Sequence, residues 1–92
     1  MADIHVTQVD PTSYDVTVRD HSETKHTVMV SESVYQSLTG GAVEPEELVE
    51  ASFRFLLERE SNTMILSRFD LPLIGQYFPE FEQEIRKRLA AT

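Results

Sequence analysis

Between residues 3 and 30 the apolar side chains keep to alternate positions. Ile4 and Val6 are two apart, as are Tyr14, Val16 and Val18, and then Val28 and Val30. Alternation of this kind, rich in Val and Thr, predicts half-buried strands. Asp10-Pro11-Thr12-Ser13 separates the first run from the second, and Asp20-His21-Ser22-Glu23 the second from the third, both in turn-forming residues. Three strands joined by two short turns make an antiparallel meander. Setting Val16 opposite Val28 brings Val18 to His26 and Tyr14 to Val30. The even-numbered residues then share an apolar face, and Asp15, Thr17, Arg19, Lys25 and Thr27 share a polar one. Met29 is the large apolar residue on that polar side, read as a second small contact or a dimer contact.

At Ser31 the period changes. Ser31 is a good N-cap for a short helix in which Val34 and Leu38 lie four apart, and Gly40-Gly41 supplies the stop. Pro45 suits the first turn of a second helix, 45–60, with Glu46 and Glu47 where the helix dipole favours acids. Leu48, Ser52, Phe55 and Leu56 form its apolar stripe, widened by Val49 and Phe53. Glu50, Arg54 and Glu58 line the other side at ion-pairing distance along the helix. Residues 61–70 are ambiguous, with a short apolar run at Met64-Ile65-Leu66. Asp70 reads as an N-cap for a turn that faces Ile74, Tyr77 and Phe78 inward. Pro79 opens a last helix, 79–90, with Phe81, Ile85 and Leu89 on one face and Glu82–Arg86 and Glu84–Arg88 as favourable pairs.

The fold expected is therefore α+β. Residues 1–30 form a three-stranded antiparallel meander, and residues 31–92 supply about four α-helices packed on its even-numbered face, in one domain spanning 1–92. Helix 45–60 is central, with Phe55 buried against Val16 and Val28. The 24–30 strand is expected at a sheet edge with weak charge protection, so that Thr27 and Met29 become candidates for a homodimer contact. The dense apolar segment 69–79 reads as core, or as a groove or dimer surface built from Tyr77, Phe78 and Phe81.

Charge narrows the function classes. The 92 residues hold 16 acids and 8 bases, a net charge of −8. Residues 31–60 carry seven of the acids and only two bases, and the basic cluster is Arg86-Lys87-Arg88. This balance argues against phosphate-backbone binding and against anionic membranes. Glu44, Glu46, Glu47 and Glu50 form an acidic face, read as solvated or as a surface for a basic partner. There is no cysteine, no signal-peptide pattern at the start and no run of apolar residues long enough to span a bilayer, so the cytoplasm is expected.

Candidate chemistry is sparse. His5, His21 and His26 do not fall at a metal-ligand spacing. His21 reads as a solvated turn residue and His26 as a strand-end residue. No serine sits in a Gly-x-Ser-x-Gly elbow, and Gly40-Gly41 lacks the Lys and the context of a phosphate loop. No catalytic residue, metal ligand or cofactor is assigned. The reading is a non-enzymatic protein-interaction domain that self-associates, its protein partner unidentified.

Residues 25–60 also resemble a ribbon-helix-helix unit: Lys25-His26-Thr27-Val28-Met29-Val30 as the strand, Ser31 to Leu38 as the first helix and Pro45 to Leu57 as the second. That resemblance implies two chains pairing their strands into a ribbon for the DNA major groove, with Lys25, Thr27 and Met29 as readers. The alternative function is accordingly an acidic regulator of antitoxin type, acting by such DNA binding or by holding a basic protein partner. Over most of its length the chain resembles, too, a small group of uncharacterised prokaryotic proteins. The resemblance runs through Thr27-Val28-Met29-Val30-Ser31, Leu38-Thr39-Gly40-Gly41, Pro45-Glu46-Glu47-Leu48, Ser52 to Glu60, Ile65-Leu66 and Tyr77-Phe78-Pro79-Glu80. It implies a compact domain and no particular activity.

Overall fold

The computed structural model describes residues 2–90. Three strands come first: β1 (Asp3–Asp10), β2 (Ser13–Arg19) and β3 (Glu23–Met29). They form the expected antiparallel meander, with Asp10 Oδ1 accepting from the Thr12 N–H at 3.0 Å to hold the first turn. The second turn is Asp20-His21-Ser22. It closes where Arg19 pairs with Glu23, both along the backbone and by a 2.8 Å ion pair.

That closure corrects the expected register. Tyr14 faces Val28, Val16 faces His26 and Val18 faces Thr24, each two residues from the alignment that parity alone offered. A two-residue slip leaves every side chain on its original face. Ile4, Tyr14, Val16, Val18, Val28 and Val30 are accordingly buried on the even-numbered side, together with His26.

The sheet has a fourth strand. β4 (Arg68–Asp70) joins β3 in parallel, with Thr27 opposite Arg68, Val28 opposite Phe69 and Met29 opposite Asp70. The Thr27 N–H donates to the Ser67 carbonyl at 2.7 Å, and the Leu71 N–H to the Met29 carbonyl at 2.9 Å. Strand order is β1-β2-β3-β4, a mixed sheet in which β3 is interior. Residues 27–29 of the strand expected at an edge are therefore covered. A parallel neighbour requires a long crossover, and the intervening chain supplies it as two helices.

The first, α1 (Glu32–Thr39), is capped by Ser31, whose Oγ accepts from the Val34 N–H at 3.2 Å. It stops at Gly40, which takes the left-handed φ of 63° and donates its N–H to the Gln36 carbonyl. The second, α2 (Pro45–Leu57), buries Leu48, Val49, Ser52, Phe53, Phe55 and Leu56, the stripe read from its spacing. Ser52 is tolerated there because its hydroxyl donates to the Leu48 carbonyl at 2.7 Å. Glu50 and Arg54 pair at 3.2 Å on the outer side.

Beyond β4 come α3 (Leu73–Tyr77) and α4 (Phe81–Ala90). Asp70 ends β4 rather than capping a helix, and Pro79-Glu80 makes the turn into α4 instead of its first two residues. Glu82–Arg86 and Glu84–Arg88 form the expected pairs at 3.1 and 3.4 Å. Two aromatic layers join these parts. Phe53 packs on His26 and Phe69 with ring centroids 5.3 and 6.1 Å away. Phe55 meets Phe78 and Phe81 edge-on at 6.0 and 5.2 Å, and the Arg59 guanidinium covers its ring at 3.6 Å. All buried apolar residues fall in one cluster.

Candidate functional site

After α2 the chain must turn back to lay down β4, and the manner of the turn shapes a surface groove. Asn62 starts a single 3-10 turn, Asn62–Met64, and its side chain is buried. Its Nδ2 donates to the Ser22 carbonyl at 2.9 Å and to Thr24 Oγ1 at 3.0 Å. Ile65 packs into the core. The Leu66 carbonyl is held by His26 Nδ1 at 2.7 Å, and His26 Nε2 lies 2.9 Å from Thr24 Oγ1. A carbonyl only accepts, so Nδ1 carries the proton. The Thr24 hydroxyl, already accepting from Asn62, can give its own proton to Nε2. Every polar group of this buried network is satisfied.

With Asn62 and Ile65 turned inward, Met64 and Leu66 face out, at 69% and 49% exposure, and Tyr77 on α3 is 66% exposed. Together with Val9 on β1 these are the exposed large hydrophobic residues among those described. Met64, Leu66 and Tyr77 rim one open groove of about 250 Å³, floored by Leu56, Ile65, Phe69 and Ile74. Glu60 stands at the same opening, half-buried, and among the described residues its carboxylate has no ion pair or hydrogen bond. The arrangement can accept apolar side chains and present one negative charge beside them.

Of the residues singled out from the sequence, Tyr77 and Phe78 line this groove. Phe81 does not reach the surface: it is 1% exposed, turned onto Phe55 at the start of α4. Thr27 is half-buried and donates to Asp15 Oδ1 at 3.1 Å. Met29 is half-buried and lines an open pocket of about 470 Å³ with Val34, Asp70 and Pro72, and the pairing of Asp70 opposite it removes the free backbone edge on which the expected dimer contact depended. Glu44 and Glu47 are exposed and Glu46 partly so, and of the acidic face only Glu50 is paired with a cation among the described residues. Burial, followed by the charge of Glu46, pushes the Tyr14 hydroxyl above its ordinary pKa.

His5 and His21 are exposed, whereas His26 is buried and sits midway along β3 rather than at a strand end. In the sequence Met64 and Leu66 are signalled by the apolar triplet Met64-Ile65-Leu66, too short for a helix stripe, and nothing in the pattern marks Glu60. Among the described residues no group of His, Asp and Glu side chains comes together that could hold a metal ion, and no helix is long and apolar enough to cross a membrane.

No family model, curated protein or solved structure matches the chain. In the strand of the ribbon-helix-helix resemblance, residues 27–29 have β2 on one side and β4 on the other.

Proposed function

We propose that this protein is a non-enzymatic protein-interaction domain whose groove between the Asn62–Leu66 segment and α3 receives apolar side chains of a partner. The observation that carries the reading is the gathering of Met64, Leu66 and Tyr77 around one opening. Apolar groups scattered singly over a surface need no explanation, but a cluster in a concavity marks a contact site. Covering such surface contributes about 25 cal/mol per Å² of apolar area removed from water. Methionine adds adaptability, because its unbranched chain refits to different neighbours. Among the described residues lining the groove Glu60 is the only carboxylate, and no Lys, Arg or His accompanies it, which favours binding over acid–base chemistry.

Affinity capture from native lysate tests the reading. Leu66→Ser combined with Tyr77→Ser alters only exposed side chains, so stability should shift by no more than about 0.5 kcal/mol per site. Proteins retained by the wild-type chain and by a Val9→Ser control should be lost with the double variant. Equal retention by all three would remove the groove from the function.

A further inference from the structure

Building on the groove as a binding site, we propose that it selects a peptide segment in which one or two large apolar side chains stand next to a lysine or arginine, and that Glu60 is the residue that reads the positive charge. The groove's size bears on the first half. Its volume of about 250 Å³ lies under the ~300–1,000 Å³ usual for small-molecule and cofactor sites. A cavity of about 150 Å³ already holds a benzene ring, so there is room for an aromatic or aliphatic anchor with a second, smaller one beside it.

Glu60 carries the second half. The acids around it are engaged: Glu58 binds Arg88 and Arg59, and Glu80 binds Arg59. Glu60, half-buried at the apolar mouth, has no such partner among the described residues. An approaching apolar surface would strip water from this carboxylate, a loss that an incoming cation, with its charge and its N–H donors, offsets best. A neutral or acidic neighbour to the anchor is therefore selected against, which is specificity by an unmet charge. The net charge of −8 works in the same direction by steering basic partners toward the surface.

A second copy of the chain fits less well. The exposed large hydrophobic residue outside the groove, Val9, is flanked by Gln8 and Asp10, so inserting it would bring a carboxylate toward Glu60. A groove-to-groove pair would bring two Glu60 side chains to one apolar patch.

Display of short random peptides against the immobilised wild-type chain, counter-selected on the Leu66→Ser/Tyr77→Ser variant, provides the probe. Groove-dependent sequences should carry Lys or Arg within a helical turn of an aromatic or aliphatic pair. A synthetic peptide of that set is then titrated, as its Lys form and its Lys→Gln form, against wild type and Glu60→Gln. The cation should be worth about fivefold in affinity on the wild type, the upper range for a partly exposed ion pair, and close to nothing on Glu60→Gln. The gain should shrink at high salt. Groove-dependent peptides without basic enrichment, or a Lys preference that survives Glu60→Gln, would overturn the role of Glu60 and leave the groove as a binding site. Failure to obtain any groove-dependent peptide would overturn both.

Discussion

His26 Nδ1 lies 2.7 Å from the carbonyl oxygen of Leu66, forty residues further along the chain. The same imidazole meets Thr24 through Nε2 and packs its ring on Phe53. One buried side chain thus fastens the outer rim of the groove to β3 and to α2. His26→Ala should leave the Leu66 carbonyl without its donor and open a void against Phe53, costing about 2–4 kcal/mol. Urea titration gives the loss, and hydrogen exchange should show faster exchange of the amides of residues 62–67 in particular. A loss under about 1 kcal/mol with unchanged exchange there would show that the rim is held by other means.

Phe55 on α2 is fully buried, with Phe78, Phe81 of α4 and the Arg59 guanidinium on its ring. Phe55→Ala should destabilise the fold by about 3–5 kcal/mol, a large part of the stability of a domain this size. The check is the midpoint of chemical unfolding. A change within about 1 kcal/mol would place the ring outside the core.

Acid should weaken the joint between the end of α2 and α4. The hydrogen bond from Arg88, with the charges of Arg88 and Arg59, holds the Glu58 carboxyl below its ordinary value of 4.5. A carboxyl depressed in the folded state contributes its full stabilisation above the ordinary value and loses it as pH falls through the folded one. The Glu58 side chain is 55% exposed, so the contribution is screened to less than about 1 kcal/mol. Stability should therefore fall on acidification from just above 4.5 downward, and the fall should be shallower in Glu58→Gln. Parallel unfolding curves against pH for the two proteins would contradict the assignment.

Because β3 is interior, Met29→Lys should leave the oligomeric state unchanged, whatever that state is. Sedimentation of the two proteins at matched concentrations tests this. Dissociation caused by the lysine would mean that β4 does not cover the strand in solution.

The contrast between α2 and β4 shows what the sequence made legible. The stripe of α2 recurs over 13 residues, long enough for its spacing to identify both the helix and its buried face. The meander survived an error of register because a slip of two preserves parity. β4 has three residues, Arg68-Phe69-Asp70, with one apolar side chain among them. So short an alternation has no statistical weight, and its partner lies far upstream. His26 was obscure for the same reason: Leu66 and Asn62, which satisfy it and Thr24, come from forty and thirty-eight residues away in their respective pairings. Met64 and Leu66 show a different limit. Hydrophobicity states that a side chain prefers to leave water, and does not state whether this chain or another provides the cover.

The parallel seam between β3 and β4 also orders events in time. The two hairpins of the meander close turns of two and three residues, whereas the bond from His26 to Leu66 closes a loop of forty. By the logarithmic rule that longer closure carries an entropic cost on the order of 3 kcal/mol beyond a constant, and no local contact offsets it in advance. The meander is thus free to form while the chain is still open, and the groove is finished only when this seam zips. Pulse-labelled exchange during refolding reads that sequence directly, through late protection of residues 67–71. A partner that needs the groove meets it only on a chain in which this seam has formed, and once bound it holds shut a joint of long sequence separation.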